Sequence, residues 1–119
     1  MKILTLTGWA QQPDILQQII DIESDYLDYM HLDINQIKKQ LKGKQYDMII
    51  GWSLGGQVAL DVAAIVGAKA LILAACPVRF VSDAQFDMGI TPKNFLQFKA
   101  DLIADKYKLL THFQNLINH

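Results

Sequence analysis

The chain has 119 residues, 51% of them hydrophobic and 19% charged, with eleven Lys and Arg against twelve Asp and Glu, a net charge of −1 and one Cys. That length and apolar content predict one soluble globular domain, since disordered chains lack the apolar surface to offset their conformational entropy. The charge balance argues against a general nucleic-acid or membrane-surface binder, which needs a basic excess to attract phosphates. One Cys cannot build a disulfide framework or a multi-thiolate metal site, so the cytoplasm is the expected compartment and Cys76 reads as a small buried hydrophobe.

The N-terminal MKILTLTG is too short for a signal-peptide core or a membrane span and reads as a strand over residues 2–7, stopped at Gly8. Pro13 opens a helical stretch in which Ile15, Leu16, Ile19, Ile20 and Ile22 share one face. Residues 25–32, with Tyr26, Leu27, Tyr29 and Met30, alternate weakly and predict a second strand. Asp33 is an N-cap for a helix whose Ile34, Ile37 and Leu41 form a stripe and which Gly43 ends. Residues 46–50 predict a third strand, 54–66 a small-residue helix, and 68–75, fully apolar but for Lys69, a central parallel strand.

Alternating strands and helices imply right-handed crossovers, so the fold class is α/β: a mostly parallel sheet with helices on both faces. After Pro77 the texture changes. A loop is expected over 78–90, then Thr91 and Pro92 as N-cap and first residue of a helix lined by Phe95, Phe98, Leu102 and Ile103. Tyr107, Leu110, Phe113, Leu116 and Ile117 pattern a second helix, and the division is a partial core over 1–77 followed by a partial helical lid over 78–119.

Gly51-Trp52-Ser53-Leu54-Gly55 fits G-x-S-x-G, with an apolar strand before it and a small-residue helix after it. A tight strand-to-helix turn would project the Ser53 hydroxyl on a strained backbone; Gly51 and Gly55 give clearance, and Gly56 lets the helix approach the sheet. The helix start aims its N–H groups and positive dipole end at the space near Ser53, which suits a developing oxyanion, with the Leu54 N–H as first donor. A second donor, the Trp9 N–H, is expected from the loop after the neighbouring strand, with the Trp9 indole walling an acyl pocket. A Gly-rich strand-to-helix turn also binds phosphate, but such a loop wants Lys near its end where Gln57 stands.

A serine hydroxyl needs a His to take its proton and a carboxylate to orient that His. Asp61, Asp83, Asp87, Asp101, Asp105, His112 and His119 follow Ser53, none at a predicted strand end, and His31 precedes it. The three histidines are expected to be solvated, structural or lid residues.

These residues resemble the α/β-hydrolases and, within them, the pimeloyl-[acyl-carrier protein] methyl ester carboxylesterases of biotin synthesis. Thr7-Gly8-Trp9-Ala10 looks like the family's H-G-W-G oxyanion loop with Thr7 in place of His, GWSLGG over 51–56 like its elbow, and residues 75–80 like its S-x-P-x-F turn. Gly89, Ile90, Thr91, Pro92, Phe98, Leu102, Asp105 and Phe113 fall at family-like lid spacing, and the family's F-L-A-L-Q run stands as Phe113-Gln114-Asn115-Leu116-Ile117.

The resemblance implies hydrolysis of the methyl ester of pimeloyl carried on acyl carrier protein, or of a small ester. It gives Ser53 as nucleophile, Trp9 and Leu54 N–H groups as oxyanion hole, Trp9, Phe113 and Leu116 against substrate, and Lys108 and His112 toward the acidic carrier protein. No cofactor, no metal, and neither a nucleic-acid nor a membrane partner is expected. It also implies that the chain stops inside the lid, before the strands that bring the catalytic Asp and His. A second copy or a complementing C-terminal chain is the expected partner of such an open sheet, and a non-catalytic module binding an acyl group or a partner chain is the alternative to an esterase.

Overall fold

The computed structural model describes residues 1–77, 79–85 and 87–117, the side chains of 113, 114, 116 and 117 excepted. The chain separates into two units, Met1–Cys76 and Pro77–His119. The first unit is α/β. Its strands β1 (Ile3–Leu6), β2 (Asp25–Tyr26), β3 (Tyr46–Trp52) and β4 (Ala68–Ala74) form one parallel sheet in the order β2-β1-β3-β4. Helices α1 (Ile15–Ile19), α2 (Ile34–Leu41) and α3 (Leu54–Val66) connect them.

All four residues of β1 are buried, as its continuous apolar run requires of a strand covered on both faces. Leu4 and Leu6 meet Ile37 and Leu41 of α2, Ala59 and Val62 of α3, and Ile49 of β3 in one core cluster, while Ile3 and Thr5 alternate to the other face. Helix α1 packs on β1, and its buried Leu16 stands outside that cluster. Helix α2 begins at Asp33, the N-cap the sequence predicts, and Gln36 completes a reciprocal capping box: the Asp33 carboxylate accepts from the Gln36 N–H at 2.8 Å and the Gln36 amide oxygen accepts from the Asp33 N–H at 2.8 Å.

Three expectations fail in the first unit. The apolar stripe after Pro13 gives a helix of only five residues; Ile20 is already extended, and Ile19 and Ile22 are exposed. β-Branched isoleucines are weak helix formers, and the chain must turn at once to reach β2. The strand expected over 25–32 pairs only at Asp25–Tyr26, with Leu27 N–H donating to the Thr5 carbonyl at 3.0 Å as its last tie to β1. Leu27 and Tyr29 still bury their side chains, so the alternation reports burial, not strand pairing. The third expectation placed 68–75 at the centre of the sheet. Among the described strands β4 is instead an edge: it pairs only with β3, most of its residues are exposed, and Ala75 leaves the strand at φ 49°.

The second unit holds α4 (Pro92–Ala104) and α5 (Lys106–Ile117), which pack on each other. Thr91 caps α4, its hydroxyl accepting from the Asn94 N–H at 3.1 Å with Pro92 in the first turn, and Asp105 accepts from the Lys108 N–H at 3.0 Å to start α5. The loop before them closes on itself: Ser82 N–H donates to the Ile90 carbonyl and Ile90 N–H to the Phe80 carbonyl, both at 2.8 Å. The apolar face expected of α4 is not buried. Phe95 and Ile103 are exposed and Phe98 and Leu102 half-buried.

Candidate active site

In an open parallel sheet a crevice forms outside the carboxyl ends of the strands where successive connections run in opposite directions. Here the reversal lies between β1 and β3: the chain leaves β1 toward β2, then returns to the other side of β1 for β3. The two segments that follow these strands are Thr7-Gly8-Trp9 and Ser53-Leu54. The parallel register pairs Leu6 with Gly51, which sets Gly8 level with Ser53. A Cβ placed on Gly8 would lie 3.3 Å from the Ser53 Cβ, so the two segments adjoin.

Ser53 takes φ 56° and ψ −123° between the last residue of β3 and the first of α3. A non-glycine residue there carries strain that the surroundings must hold, and they do so from both sides. Ser53 N–H donates to the Ala74 carbonyl of β4 at 2.9 Å, and the Ser53 carbonyl accepts from the Gly56 N–H at 2.9 Å as α3 begins. The Ser53 hydroxyl does not cap the helix, and the residue is half-buried. Leu54 is the first helical residue, so its N–H has no acceptor within the helix.

The glycines of the turn allow contacts that no side chain would. A Cβ on Gly55 would run into the carbonyl oxygens of Leu6 and Thr7; one on Gly51 would stand 2.6 Å from the Gly56 Cα, and one on Gly56 2.6 Å from the Cys76 sulfur. Gly55 thus seats α3 directly on the end of β1. Cys76 is half-buried over Gly56, where the sequence suggested full burial; it follows the left-handed Ala75 out of the sheet edge.

Two residues at this site escaped the sequence reading. Tyr29, buried at 8% exposure, donates its hydroxyl to the Thr7 carbonyl at 2.5 Å. Burial, and then the negative charge of Asp28, pushes its phenol up to about 12, so it remains a donor across the neutral range. Gln11 accepts from the Gly8 N–H through its side-chain oxygen at 2.7 Å and returns its own N–H to the Gly8 carbonyl at 3.3 Å. Neither lies in a motif. Their only sequence signal is a polar tip in a segment that folds back toward the end of β1.

Of the remaining predicted residues only Trp9, next to Gly8, lies in these two segments. Trp9 is half-buried in the turn after β1. His31 stands exposed in a turn, since β2 ends five residues earlier at Tyr26, and Asp61 is exposed on α3. Asp83 pairs with Arg79, Asp101 accepts from Gln97 at 2.9 Å, and Asp87, Lys108 and His112 are exposed in the second unit. The side chains of Phe113 and Leu116, and all of His119, lie outside the described residues. No described hydrogen bond joins Ser53 to a histidine or carboxylate, and no three described His, Cys, Asp or Glu side chains cluster as metal ligands. No described helix is long and apolar enough to cross a membrane. No protein-family model matches the chain, and no curated protein matches it.

Proposed function

We propose that the chain carries the nucleophile and oxyanion hole of a serine carboxylesterase of the α/β-hydrolase type, whose substrate is the methyl ester of a pimeloyl group on acyl carrier protein. The observation that carries this reading is the strained Ser53 at the β3–α3 turn, held level with Gly8 at the point where the sheet reverses direction. Ser53 Oγ attacks the ester carbonyl carbon and passes its proton to a base. The Trp9 and Leu54 N–H groups receive the oxyanion, the ester C–O bond breaks, and the alcohol leaves with that proton. Water then hydrolyses the acyl-serine. The substrate assignment, the lid contacts of Phe113 and Leu116 and the carrier-protein contacts of Lys108 and His112 rest on the resemblance, and the cytoplasmic setting on the single Cys.

A second reading, a non-catalytic module that binds an acyl group or a partner chain, is favoured by one observation: among the described residues Ser53 has no hydrogen-bonded base. One experiment separates the two. The purified chain is incubated with 4-nitrophenyl acetate, an activated ester that partly compensates for a weak nucleophile, and acetyl transfer is followed by nitrophenolate release and peptide mass spectrometry. An esterase acetylates Ser53, and Ser53→Ala loses the adduct. A module yields the same slow release for wild type and Ser53→Ala, with no acetyl on Ser53.

A further inference from the structure

The loop after β1 is held by more than its own turn. The Thr7 carbonyl and the Gly8 N–H are the two polar ends of one peptide group, and a trans peptide points them in opposite directions. Each end meets a side chain: the Tyr29 hydroxyl, from a distant segment, donates to the carbonyl at 2.5 Å, and the side-chain oxygen of Gln11, at the end of the turn, accepts from the N–H at 2.7 Å. A planar group gripped at both ends cannot rotate about the chain axis. The next peptide is fixed in turn, because the Gly8 carbonyl accepts from Gln11 N–H at 3.3 Å and Ala10 closes the turn at φ 62°. Its other end is the Trp9 N–H, whose direction is then set by planarity.

We propose that Tyr29 and Gln11 are positioning residues for ester hydrolysis at Ser53, together clamping the Thr7–Gly8 peptide so that the Trp9 N–H is pre-aimed at the oxyanion. This rests on the nucleophile reading above and extends it to two residues that touch neither substrate nor reacting atoms. Preorganised donors stabilise a transition state because they need not reorient as charge develops, and a loop free to flip its peptide forfeits that gain. The clamp also explains the local choice of residues. A Cβ on Gly8 would stand 2.9 Å from the Gln11 oxygen and 3.3 Å from the Ser53 Cβ, so a side chain there would displace the Gln11 oxygen from its hydrogen bond. Tyr29 is buried beneath the loop at the core end of its segment.

The test is steady-state hydrolysis of 4-nitrophenyl acetate by the full chain, with wild type, Ser53→Ala, Tyr29→Phe, Gln11→Ala and Gln11→Glu. Tyr29→Phe and Gln11→Ala should each lower the Ser53-dependent kcat about tenfold and leave KM within about twofold, a smaller loss than the roughly hundredfold or more expected on removing an oxyanion donor itself. Gln11→Glu keeps an acceptor oxygen at the same reach and should recover kcat to within about threefold of wild type. Gln11 is half-buried and outside the core cluster, so the Gln11 pair decides the matter even if Tyr29→Phe does not fold. Unchanged kcat in Gln11→Ala, or a loss that Gln11→Glu fails to recover, overturns the clamp while leaving Ser53 as nucleophile. A wild-type rate that Ser53→Ala does not alter overturns the nucleophile reading and the clamp with it.

Discussion

Gly55 joins the candidate site to the core at the level of a single atom. A methyl group there meets the Leu6 and Thr7 carbonyl oxygens, backbone at the buried end of β1 that cannot yield cheaply. Gly55→Ala should therefore destabilise the first unit by about 1–3 kcal/mol, the usual range for overpacking, measured by urea unfolding. Ser53 is reactive only as far as a base can take its proton. With none hydrogen-bonded to it among the described residues, a fluorophosphonate probe should label Ser53 weakly or not at all within the time a complete triad reacts fully. Fast stoichiometric labelling would show that a histidine reaches it. Tyr29 predicts an alkaline limit. Its folded phenol is raised to about 12 from 10.0, so the fold holds the neutral form, and the contribution is complete below about pH 10 and lost as pH rises toward 12. Tyr46 is raised too, by burial and then by its hydrogen bond and proximity to Asp25. Urea midpoints should fall above about pH 10, and the fall should be shallower in Tyr29→Phe.

At the scale of elements, the Asp33 N-cap of α2 was legible because it is local: Asp33 and Gln36, three positions on, satisfy each other's backbone with no help from the rest of the fold. Asp33→Ala should cost about 1 kcal/mol of stability. The ends of β1, β3 and β4 are tied by Asp47, whose carboxylate accepts from the Lys2 N–H at 2.7 Å and pairs with Lys69 of β4 at 3.3 Å. The Lys2 hydrogen bond first, and Lys69 next, lower its pKa, so its contribution is present above the ordinary carboxylate range and is lost as pH falls through the lowered value. Asp47→Asn should flatten the acid limb of the stability profile below about pH 4. Helix α1 and strand β2 were overread for the opposite reason. Their apolar patterns are real, but their lengths are set by how soon the chain must turn between neighbours, a constraint outside any local window.

On the scale of the molecule, β4 is an edge: among the described residues it pairs only on the β3 side, and Ile72 and Leu73, on opposite faces, are 45% and 40% exposed. Only Lys69 guards this edge with a charge, and it is engaged by Asp47. Concentration-dependent association is the expected behaviour, seen as a rising weight-average sedimentation coefficient. Ile72→Lys should lower it, and a monomer at all concentrations would show that the edge is covered. What the sequence determined by itself is whatever short-range chemistry decides: the α/β alternation, the capped helices, and a Ser between glycines at a strand-to-helix turn. The strand order, the reversal between β1 and β3 that brings Gly8 beside Ser53, and the reach of Tyr29 to the Thr7 carbonyl were decided only by tertiary structure. They join residues up to 45 positions apart, whose meeting depends on parallel register and on which side of β1 each connection takes, and no local pattern encodes either.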